Sequence, residues 1–282
     1  MEAKKLYARL EKDFIKPGLS DDWIRHMDKV KDYVSENFKK RSMGLVCDYA
    51  KEINRVYTAV FPTNDIMKKV LDKKEENVML FVHHPAQWDL SKKEIWPQMD
   101  TKLLDKFRKK GISIYNLHVP LDNYGKYSTS VSLSKALDIK PVKKFSEYHG
   151  GYAGVFGKTE CVDVYQLSKK FDRALGHKTK LYLYGDWEIK NKKVGVVAGG
   201  GNSVDVLQEI ADDHINVLVT GLTKLNDYSK QAHDFAKKNK INILGGTHYS
   251  TEKFACIAMV DYFKKLGLKA EFLDGKPGMA DL

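Results

Sequence analysis

Val78-Met79-Leu80-Phe81-Val82-His83-His84-Pro85 is an unbroken apolar run that ends in two imidazoles and a proline. Five consecutive apolar residues read as a strand buried on both faces, the kind found in parallel sheets. Residues leaving such a strand at its carboxyl end stand at the lip of the sheet, where open α/β proteins place ligands and chemistry. Imidazole is the commonest protein metal ligand, and adjacent side chains on an extended backbone splay toward two neighbouring positions. The His83-His84 pair therefore predicts a ligand site at a sheet edge.

The segments around this strand alternate in type. Residues 3–16 and 22–41 have amphipathic helical spacing, broken by Pro17-Gly18, with Ser20-Asp21-Asp22 as a capping signal for the second. A strand over 55–61 ends at Pro62-Thr63-Asn64-Asp65, which caps a helix over 65–74. A helix over 99–110 stops at Gly111, the strand Ile112–Leu117 follows, and residues 126–138 resume as helix. Near Tyr148-His149-Gly150-Gly151 the texture becomes glycine-rich and aromatic, which marks a second lobe. There the order is helix 163–175, strand 180–184, a turn over 186–191, strand 194–198, helix 203–213, strand 215–220, helix 227–239, strand 241–244 and helix 251–266. Such alternation predicts an α/β fold with parallel pairing and right-handed crossovers. The expected organisation is an N-terminal lobe over 1–145 and a C-terminal lobe over 146–282.

Composition narrows the class. No apolar run approaches the ~20 residues of a membrane span, and the charged N-terminus shows no signal peptide. Cys47, Cys161 and Cys256 are widely spaced and form no CxxC, which predicts a reduced, cytoplasmic setting without disulfides. The net charge of +11 comes almost wholly from lysine, with six arginines in the chain. Arginine is the residue that phosphate and base recognition concentrates, so a nucleic-acid partner is disfavoured and an anionic small molecule fits better.

Two further strand ends carry paired ligand types: His118-Val119-Pro120-Leu121-Asp122 and His248-Tyr249-Ser250-Thr251-Glu252. A spacing of four through a helical turn puts both groups on one side of the backbone. Four histidines and two carboxylates at strand ends match what two first-row divalent metals need when water fills the remaining positions. The other histidines, His26, His149, His177, His214 and His233, have no carboxylate at ligand spacing and read as ordinary residues. Gly199-Gly200-Gly201-Asn202-Ser203 follows a strand and opens a helix. It fits neither a dinucleotide fingerprint nor a phosphate loop, and reads as a tight strand-to-helix turn, with an anion-binding loop as the alternative. No GxSxG serine supports a Ser-His-Asp triad.

At these residues the chain resembles the Nif-three-like dinuclear metal-binding proteins, often named type 2 GTP cyclohydrolase I homologues. The matching elements are His83-His84-Pro85, His118-Val119-Pro120-Leu121-Asp122, Ala198-Gly199-Gly200-Gly201-Asn202-Ser203, Val219-Thr220-Gly221 and Gly246-Thr247-His248-Tyr249-Ser250-Thr251-Glu252, over roughly residues 45 to 265. The resemblance implies two α/β lobes with mostly parallel sheets flanked by helices, a metal site in the cleft between them, and homo-oligomers, commonly hexamers. By motif, His83, His84, His118, Asp122, His248 and Glu252 would be the metal ligands. His83 and His84 would then each serve one of two divalent ions (zinc, iron, manganese, cobalt or nickel), and Glu252 or Asp122 would bridge them. The chain departs from the pattern after Thr220-Gly221, where an acidic residue and a histidine are expected and Leu222-Thr223-Lys224-Leu225-Asn226 stands instead. The implied function is a cytoplasmic metal-dependent hydrolase acting on a nucleotide-like small molecule. The alternative is a metal-binding interaction or regulatory protein without turnover.

Overall fold

A computed structural model describes all 282 residues. In chain order the elements are α1 (Ala3–Phe14), α2 (Glu36–Arg41), β1 (Gly44–Cys47), β2 (Arg55–Ala59), α3 (Asn64–Asp72), β3 (Val78–Val82), α4 (Thr101–Lys109), β4 (Ile112–Asn116), the single turn α5 (Val119–Asp122), α6 (Thr129–Ala136), β5 (Lys140–Tyr148), β6 (Gly151–Lys158), α7 (Val164–Leu175), β7 (Lys180–Tyr182), β8 (Lys193–Val197), α8 (Val204–Asp212), β9 (Val217–Thr220), α9 (Lys230–Lys238), β10 (Asn242–Gly245), α10 (His248–Lys265) and β11 (Lys269–Phe272). They fall into two units, each interleaved in sequence. The first comprises Met1–Leu121, His149–Gly151 and Cys256–Lys276, and the second Asp122–Tyr148, Tyr152–Ala255 and Pro277–Leu282. Both are α/β, a sheet with helices, as the alternation implied. No helix is long and apolar enough to cross a membrane.

The first unit holds a sheet of order β1-β4-β3-β2-β11. From β4 through β3 and β2 to β11 every pair is parallel, and β1 closes the edge antiparallel to β4. The central strand β3 is buried along its whole length, and its period of two divides the apolar run between two packing faces. Val78, Leu80 and Val82 enter a core with Ile66, Val70, Leu103 and Phe107 of α3 and α4. Phe81 points the other way, onto Phe263 of α10, with ring centroids 5.5 Å apart. Both flanking helices start on side-chain caps: Thr63 Oγ1 accepts from Ile66 N–H and Asp100 Oδ1 from Lys102 N–H.

The expected helix over 22–41 is corrected. That segment forms 3₁₀ turns at Trp23–His26 and Asp28–Tyr33 and then the short α2. Trp23, Met27, Val30, Val34 and Phe38 are all buried in the same core, so the apolar spacing holds although the winding does not. Ser35 starts a fresh helix by accepting from Phe38 N–H and donates its hydroxyl to Leu45 C=O. A continuous helix would have forfeited that junction.

The second unit holds a sheet of order β5-β6-β8-β9-β10-β7. Its centre, β8-β9-β10, is parallel, while β6 on β8 and β7 on β10 are antiparallel. Val196, Val219 and Leu244 face Leu167 and Phe171 on one side of this centre. Val197, Leu218 and Ile243 face Leu207, Ile210 and Ala236 on the other. His149 and Gly150, both at positive φ, join β5 to β6, the backbone that a two-residue hairpin connection requires.

Candidate metal centre

The backbone ladder of β3 does not stop at Val82. His83 N–H donates to Ala59 C=O at 3.2 Å and His84 N–H to Val60 C=O at 2.9 Å, so both histidines stay tied to the neighbouring strand. Asn116, the residue paired with Val82, donates its side-chain amide to His83 C=O. One step further along, Leu117 N–H bonds Val82 C=O at 3.2 Å, and His118 follows. Two adjacent parallel strands thereby deliver three imidazoles to one place. Ring centroids lie 4.3 Å apart for His83 and His84, 4.7 Å for His84 and His118, and 5.4 Å for His83 and His118. One ring nitrogen of each lies within 4.8 Å of the others.

Hydrogen bonds set the tautomer of two of these rings. His83 Nδ1 sits 2.9 Å from the Leu117 carbonyl oxygen, which only accepts, so that nitrogen carries the hydrogen. His118 Nδ1 sits 2.9 Å from Asp21 Oδ2 and donates to it in the same way. A hydrogen on Nδ1 puts the ring's lone pair on Nε2. Metal-ligating histidines are oriented in this manner, with the second nitrogen donating to a carbonyl or carboxylate. The His84 ring is held by packing: Phe61 stacks on it at 4.7 Å, and Trp23 and Trp96 lie 5.5 and 5.6 Å away. Trp23 also meets His118 edge-on at 5.2 Å, which gives the histidine cluster an apolar wall.

Asp21 is the residue that sequence reasoning missed. It was expected to cap a helix; instead its side chain is 2% exposed and faces His118. The only sequence signal was its place in a Ser-Asp-Asp run, which is equally a turn or capping motif.

In the second unit the carboxyl ends of β8, β9 and β10 are knitted together. Gly201 N–H donates to Thr220 Oγ1 at 3.0 Å, and Gly246 N–H donates to Thr220 C=O at 2.8 Å. His248 opens α10, earlier than the expected start near 251. Its N–H donates to Asp281 Oδ2 at 2.8 Å, and Thr247 Oγ1 accepts from Ser250 N–H at 3.1 Å. These are two of the donors a helix N-terminus leaves over. Glu252 lies one turn on, with Oε1 3.1 Å from His248 Nε2 and both side chains under a tenth exposed. Asp122 is buried and accepts from Thr129 Oγ1 at 2.8 Å.

The glycine turn is packed against this pair. Gly199 has φ +70°, and a Cβ there would come within 2.2 Å of Glu252 Oε1. Its N–H donates to Thr251 Oγ1, and its carbonyl accepts from Gly221 and Leu222 N–H. Two amides that an anion-binding loop would use, those of Gly199 and Gly201, are thus engaged by Thr251 and Thr220, as a strand-to-helix turn requires. After Thr220-Gly221, in the stretch where the resemblance leads to an acidic residue and a histidine, Thr223 and Lys224 N–H both donate to Asp281 C=O.

Two of the remaining histidines are engaged elsewhere in the second unit. His233 is buried, donates Nε2–H to Thr223 C=O at 3.0 Å and takes the Tyr184 hydroxyl on Nδ1 at 2.9 Å. Burial holds its pKa below the ordinary 6.5. His177 Nε2 pairs with Ser250 Oγ at 2.8 Å. The three cysteines are free and buried, and none belongs to the histidine cluster. The donor set is therefore imidazole and carboxylate without thiolate. Buried clusters of this composition could hold metal ions.

Comparison with known proteins agrees with this reading of the fold. A curated relative from Pyrococcus horikoshii, named GTP cyclohydrolase 1 type 2 homolog, is 29% identical over 247 residues, which span 85% of this chain and 92% of the relative. Among solved structures, a protein ybgI of unknown function superposes with TM-score 0.77 at 17% identity, covering 99% of this chain and 100% of the other. A Bacillus cereus protein related to NIF3 superposes with TM-score 0.66 at 14% identity, covering 99% and 98%. The family model described as Duf34/NIF3 (NGG1p interacting factor 3) matches residues 21–277, from Asp21 to Pro277, and the chain belongs to that family.

Proposed function

We propose that this protein is a dinuclear metal-dependent hydrolase acting on an anionic, nucleotide-like small molecule, with His83, His84, His118, Asp122, His248 and Glu252 as the ligands. One observation carries the reading: three clustered imidazoles, two of them held through Nδ1 by hydrogen bonds that leave the ring lone pair on Nε2, the arrangement suited to a metal ligand. Asp122 supports it, because α5 places it one helical turn after His118 in the chain. The close His248–Glu252 pair supplies the same ligand chemistry from α10. The donor set fits divalent ions of the zinc, iron, manganese, cobalt and nickel group.

Divalent ions held there would supply Lewis-acid polarisation and acidify a water molecule toward a pKa of ~7. The protein's own contribution is to orient the ligands. His83 is held by Leu117 C=O, His118 by Asp21, and Asp122 by Thr129. The aromatic wall of Trp23, Phe61 and Trp96 lowers the polarity around His84. The name carried by the Pyrococcus horikoshii relative favours a nucleotide-like substrate, and the net charge of +11 suits an anionic one. Three free, buried cysteines suit a reducing, cytoplasmic setting.

The test is elemental analysis of protein purified without a histidine tag, together with hydrolysis assays on nucleotides. Wild-type protein should carry about two divalent ions per chain, as a two-metal hydrolase requires. His83→Ala and Glu252→Ala should lose metal and turnover with the fold retained. Fewer than one ion per chain in metal-replete buffer overturns the site. Full occupancy with no hydrolysis of any nucleotide overturns the enzyme and leaves a metal-binding scaffold.

A further inference from the structure

Asp21 stands 97 residues before the histidine it touches, on a loop that precedes the first strand. Its side chain is 2% exposed and both carboxylate oxygens are engaged. Oδ1 accepts from Asp22 N–H at 2.9 Å, while Oδ2 accepts from His118 Nδ1–H at 2.9 Å and from Val119 N–H at 3.4 Å. The loop that carries it is itself clamped. Ser20 N–H donates to His149 C=O at 3.1 Å, and Gly150 comes so close that a Cβ on it would lie 2.2 Å from Gly18 C=O. A carboxylate fixed this way is oriented by its own loop. Burying it in contact with an imidazole N–H is costly unless the charge-assisted hydrogen bond compensates.

We infer that Asp21 is a positioning residue for His118: it fixes the ring tautomer, aims Nε2 and raises the ring's strength as a metal ligand. The inference rests on the metal-centre reading above. It assigns a role to a loop outside every strand-end motif, so that the lip of the sheet and the segment preceding the first strand act together. Removing such a partner of a metal-bound histidine typically weakens metal affinity about 10–100-fold.

The experiment is titration of metal-free full-length protein with cobalt(II), read by visible absorption and by competition with a chromophoric chelator. It compares wild type, Asp21→Ala and Asp21→Asn. Asp21→Ala should bind cobalt about 10–100-fold more weakly with an altered absorption band. Asp21→Asn keeps an oxygen that accepts from Nδ1–H and should recover most of the affinity. Thermal melts of the three metal-free proteins separate folding from binding. An Asp21→Ala protein with wild-type cobalt affinity and spectrum overturns the role, even where its melting temperature falls, since Asp21 would then be structural only. Wild-type protein that takes up no cobalt overturns the metal centre itself and this role with it.

Discussion

Glu252 Oε1 lies 3.1 Å from His248 Nε2, and the space beside it is kept by the missing side chain of Gly199. A methyl group at Gly199 would sit 2.2 Å from that oxygen and 3.2 Å from His248 Cδ2. The glycine also has φ +70°, where L-residues are strained. Gly199→Ala should therefore displace Glu252 and destabilise the protein by about 1–3 kcal/mol. Metal content and a denaturant melt check both effects. A variant with unchanged stability and full metal content would show that the pair has room to move.

Asp281 acts on the same helix from the far end of the chain. Its carboxylate accepts from His248 N–H while its carbonyl accepts from Thr223 and Lys224 N–H. A carboxylate at a helix N-terminus satisfies an orphan donor and meets the positive end of the dipole. Asp281→Ala should cost about 1–2 kcal/mol and lower the thermal midpoint by a few degrees. Asp281→Asn, which still accepts, should cost less. Equal melting of Asp281→Ala and wild type would show that the Asp281 carboxylate does not support the start of α10.

The parts of this architecture that were legible in the sequence are those where one short segment carries its own signal. Val78–Val82 could be read because a strand covered on both faces is apolar at every position. The pair His248/Glu252 could be read because helical spacing of four is a local property, and the two side chains are in contact. β5 was not legible: most of Lys-Pro-Val-Lys-Lys-Phe-Ser-Glu-Tyr is exposed or half-buried, so no apolar alternation marks it. β1 and β11 have four residues each, too few to show a period. Asp21 was illegible for a different reason, since its partner is chosen by the tertiary fold. In the sequence it differs in no way from Asp22, whose side chain is about half exposed and pairs with Arg25 on the surface.

His233 provides a pH test away from the proposed ligands. It is buried in the neutral form, donating to Thr223 C=O and accepting from Tyr184 Oη–H, and desolvation lowers its pKa from 6.5. A charged ring there would lose the Tyr184 hydroxyl as a donor to Nδ1 and would lack water around it. In the unfolded chain the same histidine titrates at its ordinary value, so below pH 6.5 the unfolded state binds the proton more readily. Its contribution is therefore intact above pH 6.5 and is lost as pH falls from there through the lower folded-state value. Of the charged groups nearby, Asp234 acts in the opposite sense, and Lys230 pairs with Asp234. His233→Gln keeps an amide donor for Thr223 and does not titrate. Its denaturant midpoint should fall less steeply than that of wild type between about pH 6.5 and 5. Parallel pH profiles for the two proteins would show that His233 charges in the folded state without penalty.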